Sequence, residues 1–390
     1  MLTGGAGTRL LVDAVNLSSP GGSQLQVELA RALVSRRPTD GGIHFLTAIP
    51  EALEGIEGVE AVSVTRPTRW TGMWYWFNRS LPRRARELKP DVIYSPGGIV
   101  SKVASREFAT MNGVNNMLPF TPEHIRHFPF GSPDRLRLVL LQKLYSRSSR
   151  RCDALVVPSR FAIGAMRPYA GDLSNKAFVA MNPLPEYVVF DPGRPPSHPC
   201  GGKPYFFYLS VVFWYKNHLE LIEAYRRAFG VDASLPELVM AGVPADVDYV
   251  KRIHDSIRRD DAGGRIRFLG KIPREEIPGW LHHATVNLFP STCETSSFVQ
   301  SEIFGMHGAM ACSDMGPMPE VAGGAAELFD PRDPDAIADV MIALWRDESR
   351  RMELRKLAAI RAAQLTPEAC GVELWSAAEH AISRFAERRA

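Results

Sequence analysis

The sequence predicts an α/β protein of two doubly wound, parallel-sheet domains of the Rossmann-like kind, and three observations carry that expectation. The chain has 390 residues, more than one ordinary core accommodates and well suited to two. Short apolar runs alternate with helix-compatible segments along most of it, which is the pattern of parallel strands joined by crossover helices. Two such series are separated by residues 186–204, EYVVFDPGRPPSHPCGGKP, whose density of Pro and Gly marks a linker. The expected division is therefore a first domain over 1–185 and a second over 186–370.

Composition narrows the class. Hydrophobic residues make up 45% and charged residues 23%, as in a globular protein, and a net charge of +3 is too mild to argue for nucleic acid. Cys152, Cys200, Cys293, Cys312 and Cys370 are scattered, odd in number and free of any C-x-x-C pair, so reduced thiols of a cytoplasmic protein are expected. No apolar run approaches the ~18–20 residues of a membrane span, and the start lacks the charged-then-apolar pattern of a signal peptide. Peripheral attachment to the inner membrane face stays open, as does a homodimer.

In the first series, Met1–Thr8 is Gly/Thr-rich and expected to fray. Arg9–Val15 reads as a buried strand and Gln24–Val34 as a helix, with Gly21–Gly22 at the turn, where backbone can approach a ligand closely. Strand-like runs follow at His44–Ala48, Ala61–Val64, Asp91–Tyr94, Phe108–Met111 and Leu155–Pro158. Between the third and fourth of these five-plus-one strands lie Trp70, Trp74, Trp76 and Phe77 with Arg79, Arg83, Arg84 and Arg86. That mixture suits an anionic membrane surface or a stacked sugar or polyanion, and equally a half-buried helix with solvated arginines. Arg135–Arg151 is also basic; Leu136, Leu140, Leu141 and Leu144 on one side are expected to pack into the core. The stretch 112–124 follows a strand end and should face the ligand crevice, while His124 and His127 read as surface histidines.

The second series opens with the strand Tyr205–Val212 and a helix from His218 to Ala228, with Lys216 between them. Further strands are expected at Glu237–Gly242, Ile266–Leu269 and Thr285–Phe289, and helices at Asp330–Ala343, Ser349–Ala363 and Pro367–Arg389. Asp246 and Asp248 form a D-x-D triplet, read here as acids at a helix start rather than as metal ligands. No His and Cys grouping has zinc spacing, so no metal is expected.

The stretch 287–324 carries the chemistry. After the apolar run ending at Phe289 it breaks at Pro290–Ser291 and places Glu294 and Glu302 eight residues apart across a loop-to-helix junction. Strand, turn and helix N-terminus is where an α/β protein binds a phosphorylated ligand, and acids beside such a site hold hydroxyls rather than phosphate. The pattern PS-x-x-E-x(7)-E-x(2)-G, then SD-x-G-x-x-PEVAG, together with WYKNHLELIEAY, resembles the donor half of glycosyltransferase family four, nucleotide-sugar transferases of the GT-B fold. The likeness covers most of 190–375, and 9–185 only by pattern and scattered residues.

The resemblance implies two domains facing a cleft, with the last helix, 371–390, packing back on the first. It implies a retaining, metal-independent transfer of a sugar from a nucleotide-diphosphate-sugar, the co-substrate in place of any cofactor, to an acceptor hydroxyl of a glycan, a lipid-linked carrier or a small molecule. Lys216, the backbone N–H groups near Ser297 and Phe298, and the loop at Gly21–Gly22 would meet the diphosphate; Glu294 would position the sugar and Glu302 the ribose. Glu320 would orient its loop. Asn112 or Asn116 stands where many members have a histidine, Ser297 where glycine is usual, and Val211 where an arginine is usual. A nucleotide-sugar epimerase or hydrolase of the same architecture, and a non-catalytic nucleotide-sugar-binding subunit, remain the alternatives; base, sugar and acceptor leave no mark in the sequence.

Overall fold

The computed structural model describes residues 7–259 and 262–390. Met1–Ala6 of the Gly/Thr-rich start lie outside the described residues. The chain divides into two compact units, one of Met1–Pro183 with Leu365–Ala390 and one of Leu184–Gln364. Each is a parallel sheet with helices in the crossovers.

The first unit contains β1 (Leu10–Asp13), β2 (Ile43–Thr47), β3 (Glu60–Ser63), β4 (Val92–Ser95), β5 (Ala109–Gly113), β6 (Ala154–Val157) and β7 (Ala177–Val179), in the order β3-β2-β1-β4-β5-β6-β7. Strands β1, β4 and β6 are buried along their whole length, which is why they read as continuous apolar runs. Strand β3 is largely exposed at the edge. The final helix, Pro367–Arg389, packs on the helix Pro20–Ser35 and along β5, β6 and β7. Its Trp375 Nε1 donates to the Leu33 carbonyl at 3.0 Å, and the Arg388 guanidinium pairs with buried Asp153 at 2.9 Å. The unit boundary falls at Leu365 rather than at residue 370.

The second unit contains β8 (Tyr205–Leu209), β9 (Glu237–Ala241), β10 (Ile266–Phe268), β11 (Val286–Phe289), β12 (Met310–Ser313) and β13 (Glu327–Phe329), ordered β10-β9-β8-β11-β12-β13. The segment read as a linker is integral to this unit. Val188 is fully buried, and the Phe190 ring stacks on His282 with centroids 4.5 Å apart. Pro and Gly fix its turns, while Val188 and Phe190 find apolar surface to cover and Val189 stays exposed.

Several side chains of the first unit are placed differently from expectation. Trp76 is not part of an exposed aromatic surface: it lies in a core with Leu11, Val15, Leu46, Leu81, Ala85, Ile93 and Ala104, whereas Trp70, Trp74 and Tyr75 are exposed. The helix Pro133–Arg151 buries Leu138, Tyr145, Ser146, Ser148 and Ser149, so Leu136 and Leu140 face outward instead of packing into the core. Small serines let that helix sit close to its neighbours, and its buried face follows them rather than the leucines. His124, expected at the surface, is buried.

The Trp76 indole N–H donates to Asp13 Oδ1 at 3.1 Å, at the end of β1. Burial pushes the Asp13 carboxyl up from 3.8 to about 7, against the smaller opposing effects of Trp76 and the Val15 backbone. The unfolded chain releases this proton first, so the contribution of Asp13 to stability is present below its ordinary value and falls as pH rises toward 7. Asp13→Asn keeps an acceptor for Trp76 and removes the charge. Denaturant titrations at about pH 5 and about pH 8 should show the native protein losing on the order of 2–4 kcal/mol more stability over that interval than Asp13→Asn does.

Candidate functional site

A parallel sheet opens a crevice where the strand order reverses, because the loops after the two strands at the reversal run to opposite faces. In the second unit the reversal lies between β8 and β11. The loop after β8 carries Lys216, and the loop after β11 carries Glu294. Their side chains form a close ion pair, Lys216 Nζ donating to Glu294 Oε1, with both largely buried. The two loops are also stitched together by Thr292, whose backbone N–H and hydroxyl both donate to the Tyr215 carbonyl, at 2.9 and 3.0 Å.

Lys216 is held from several sides. Its carbonyl accepts from the Tyr208 hydroxyl at 2.6 Å, and its ammonium lies 5.2 Å from the Tyr215 ring centre. Asn217 then turns the chain with a positive φ of 62° into the helix His218–Val231. Burial pulls the Lys216 pKa down, but the Glu294 charge and hydrogen bond outweigh it, and the ammonium is held above the ordinary lysine value. Below it His218 is fully buried, and burial together with the Lys216 charge drives its pKa down to about 3, so this ring is neutral.

The helix Phe298–Gly305 begins just beyond Glu294. Its N-cap, Ser297, is buried and makes no side-chain capping bond, which leaves the amides of the first turn, including that of Phe298, for another acceptor. Glu302 sits in the second turn and is 6% exposed. Its Oε1 accepts from the Tyr187 hydroxyl at 2.5 Å, and the Arg274 guanidinium lies 4.1 Å over the Tyr187 ring. Burial raises the Glu302 pKa, while Tyr187 and then Arg274 act against that rise. Val211, where an arginine is usual in the resembled family, is 43% exposed and supplies no charge. Asp246 Oδ1 accepts from the Tyr249 amide at 2.9 Å and caps the helix Val247–Ile257. Glu320 contributes through its backbone, its carbonyl accepting from Arg361 at 3.1 Å.

In the first unit the reversal lies between β1 and β4. Gly21 and Gly22 lie in the first turn of the helix Pro20–Ser35, which starts before the expected Gln24; the Gly22 amide donates to the Ser19 hydroxyl at 3.2 Å, and a Cβ on Gly22 would lie 2.8 Å from the Leu17 backbone. Gly21 is exposed, with open space around it. Asn116 is exposed and its Oδ1 accepts from the Leu118 amide at 3.1 Å, closing a local turn. Asn112 is a correction. It is fully buried within β5, and its Nδ2 donates to Ser149 Oγ at 3.0 Å, so its amide is turned into the core and away from solvent. A separate cavity of about 290 Å³ is lined by Trp74, Asn78, Arg79, Pro82, Arg86 and Val103.

Among the expected residues, the structure thus brings Lys216 and Glu294 into contact and places Glu302 in the helix that follows. Tyr187 and Arg274 were not foreseen. Tyr187 lies in the Pro/Gly-rich stretch, 115 residues from its partner, and nothing local in the sequence signals the pairing.

Residues 194–361 match the family described as Glycosyl transferases group 1. The match falls inside the second unit. An O-antigen chain mannosyltransferase B from Escherichia coli is 27% identical over 166 residues, a stretch that is 43% of this chain and 43% of that protein. HepE of Anabaena, solved with UDP, superposes with a TM-score of 0.70 at 18% identity, covering 95% of this chain and 98% of its own. Sucrose-phosphate synthase from Thermosynechococcus elongatus gives 0.75 at 14% identity, covering 96% and 99%. The protein has the GT-B fold. In this GT-B chain the residues quoted for the donor half, Lys216, Glu294 and Glu302, all lie within the stretch that matches the family.

Proposed function

We propose that the protein is a retaining, metal-independent glycosyltransferase of family four that moves a sugar from a nucleotide-diphosphate-sugar to an acceptor hydroxyl. The observation that carries this reading is the meeting of Lys216 and Glu294 at the β8/β11 reversal, beside the open N-terminus of the helix that bears Glu302. A cation and free backbone amides suit a diphosphate, and two carboxylates suit the hydroxyls on either side of it. The relatives agree with the class: one is named a mannosyltransferase, and another was solved in complex with UDP-glucose.

The chemistry follows from the residues. Lys216 has three N–H donors and spends one on Glu294, so two remain for the phosphate oxygens. With its pKa raised, it stays charged at neutral pH and stabilises the leaving diphosphate as the anomeric C–O bond breaks. The first-turn amides at Ser297 and Phe298 add to that. A new bond forms from the anomeric carbon to the acceptor oxygen on the same face, and the departing phosphate oxygen takes the acceptor's proton. Glu294 orients sugar hydroxyls, and Glu302 accepts from the ribose.

For the first unit we propose acceptor binding, with Gly21 and Gly22 forming the close-approach turn and Asn116, rather than buried Asn112, available among the asparagines. A lipid-linked acceptor at an anionic inner-membrane surface is favoured by one specific observation. Leu136 and Leu140 are exposed on the basic helix Pro133–Arg151, exposed Phe130 lies in the turn before it under the Arg135 guanidinium, and Trp70 and Trp74 are exposed as well.

Turnover is tested by following nucleoside diphosphate release from UDP-glucose and GDP-mannose, with and without a panel of saccharide acceptors. Lys216→Ala should lower kcat on the order of 100-fold with little change in donor affinity, and Glu302→Ala should weaken nucleotide binding by about 10- to 100-fold. Donor consumed equally fast without acceptor would favour the epimerase or hydrolase, and binding without turnover would favour the binding subunit. Leu136→Gln with Leu140→Gln should weaken sedimentation with vesicles containing anionic phospholipid; unchanged sedimentation removes the membrane reading.

A further inference from the structure

Glu302 presents a physical problem that the proposed function does not address. A carboxylate that is to hold a ribose must be ionised, yet this one is almost fully buried, and burial favours its protonated form. The structure answers with a single donor. The Tyr187 hydroxyl bonds Oε1 at 2.5 Å, while Oε2 makes no hydrogen bond among the described residues. A carboxylate has about four lone-pair positions, so one bond to Tyr187 leaves room for a diol.

Tyr187 is fixed from behind. Its neighbour Val188 is fully buried, and the Val188 carbonyl lies over Gly305, where a Cβ would come within 2.2 Å of it. The Phe190 amide donates to the Gly305 carbonyl at 3.0 Å, and the Phe190 ring stacks on His282. This clamps the Tyr187 backbone to the same helix that carries Glu302. The Arg274 guanidinium, 4.1 Å from the ring centre, covers one face of the phenol. Of the charged and titratable groups around this helix, Tyr187 and Arg274 are the ones that act on the Glu302 carboxyl. His282 is turned to the Met306 carbonyl, Arg355 to the carbonyls of His282, Ala284 and His307, and the Glu320 carbonyl takes Arg361.

We propose that Tyr187, backed by Arg274, is a positioning residue that keeps the Glu302 carboxylate ionised and oriented for the two hydroxyls of a nucleoside ribose. The inference rests on the nucleotide-sugar reading of this site. It assigns to the Pro/Gly-rich stretch a part in nucleotide recognition, through a tyrosine that touches the binding carboxylate and not the reacting atoms.

The test is the pH dependence of UDP and GDP affinity, by calorimetry from about pH 5.5 to about pH 9, for the full chain and for Tyr187→Phe and Glu302→Gln. The carboxylate accepts from the ribose above its pKa, and that affinity is lost as pH falls through it. Without the phenol the pKa rises further, so the acid limb of the Tyr187→Phe profile should move to higher pH. At the acid end of the range affinity should fall about 10-fold below the native value, and it should recover toward that value at the alkaline end. Glu302→Gln should bind weakly, with no such limb. Loss of affinity by the same factor at every pH would reduce Tyr187 to a structural residue and overturn the inference. Tighter binding by Tyr187→Phe would mean that the phenol blocks the carboxylate, and would overturn it too. If the native protein binds UDP or GDP and Tyr187→Phe keeps its profile, this inference alone fails; if the native protein binds neither nucleotide at any pH, the functional reading falls and takes the inference with it.

Discussion

The constraint on which everything else depends is the reversal of strand order in a parallel sheet. Successive strands laid down on one side of the first strand leave its other edge free, and when the chain returns there the loops on the two central strands must part. In the second unit this parts the loops after β8 and β11, and the residues that fill the gap are Lys216 and Glu294. Buried apolar strands on both sides make the floor rigid: β11 and β12 are buried along their whole length. The charged pair is thus held by a framework that hydrophobic burial stabilises, and little of its position depends on the pair itself.

Charges placed on such a floor lose water, and each in this unit is compensated by a different means. Lys216 is compensated by a carboxylate and by aromatic ring faces. Among the described residues Glu302 has no opposite charge in contact; a neutral phenol bonds it, and an arginine acts from across that ring. His218 takes the third course and is neutral. The difference matters for chemistry. A lysine kept charged suits a phosphate-rich ligand, whereas a carboxylate that burial pushes up and a phenol holds down responds to each donor that a ligand brings or a mutation removes.

Much of this was legible in the sequence, for reasons that also explain what was not. Buried parallel strands announce themselves as β-branched and apolar runs, so β2, β4, β6, β9 and β11 were expected within a residue of their ends, β1 and β8 were expected to run on past Asp13 and Leu209, and β7, β12 and β13, of three or four residues, were not named. The Lys216 and Glu294 positions were legible because each follows a strand end in a pattern with fixed spacing. Orientation was not. Trp76 and Trp74 are two residues apart on helical turns and face opposite ways, and Leu136 and Leu140 lost the core to Leu138 and Tyr145 because a stripe of serines packs closer. Asn112 sits near a strand end, where a ligand contact was expected, but β5 is buried along its whole length and the Asn112 amide is taken up by Ser149 on the helix Pro133–Arg151. The Tyr187–Glu302 bond joins positions 115 residues apart and could only come from the fold.

The central claim is that the β8/β11 reversal of the second unit is a nucleotide site that works without metal. Its most direct test is calorimetric titration of the full chain with UDP, GDP, ADP and dTDP in the presence of a chelator, and then with magnesium. The account predicts that one of these nucleotides binds with the chelator present and that magnesium adds little. Binding of none of them, or binding only once magnesium is supplied, would contradict it.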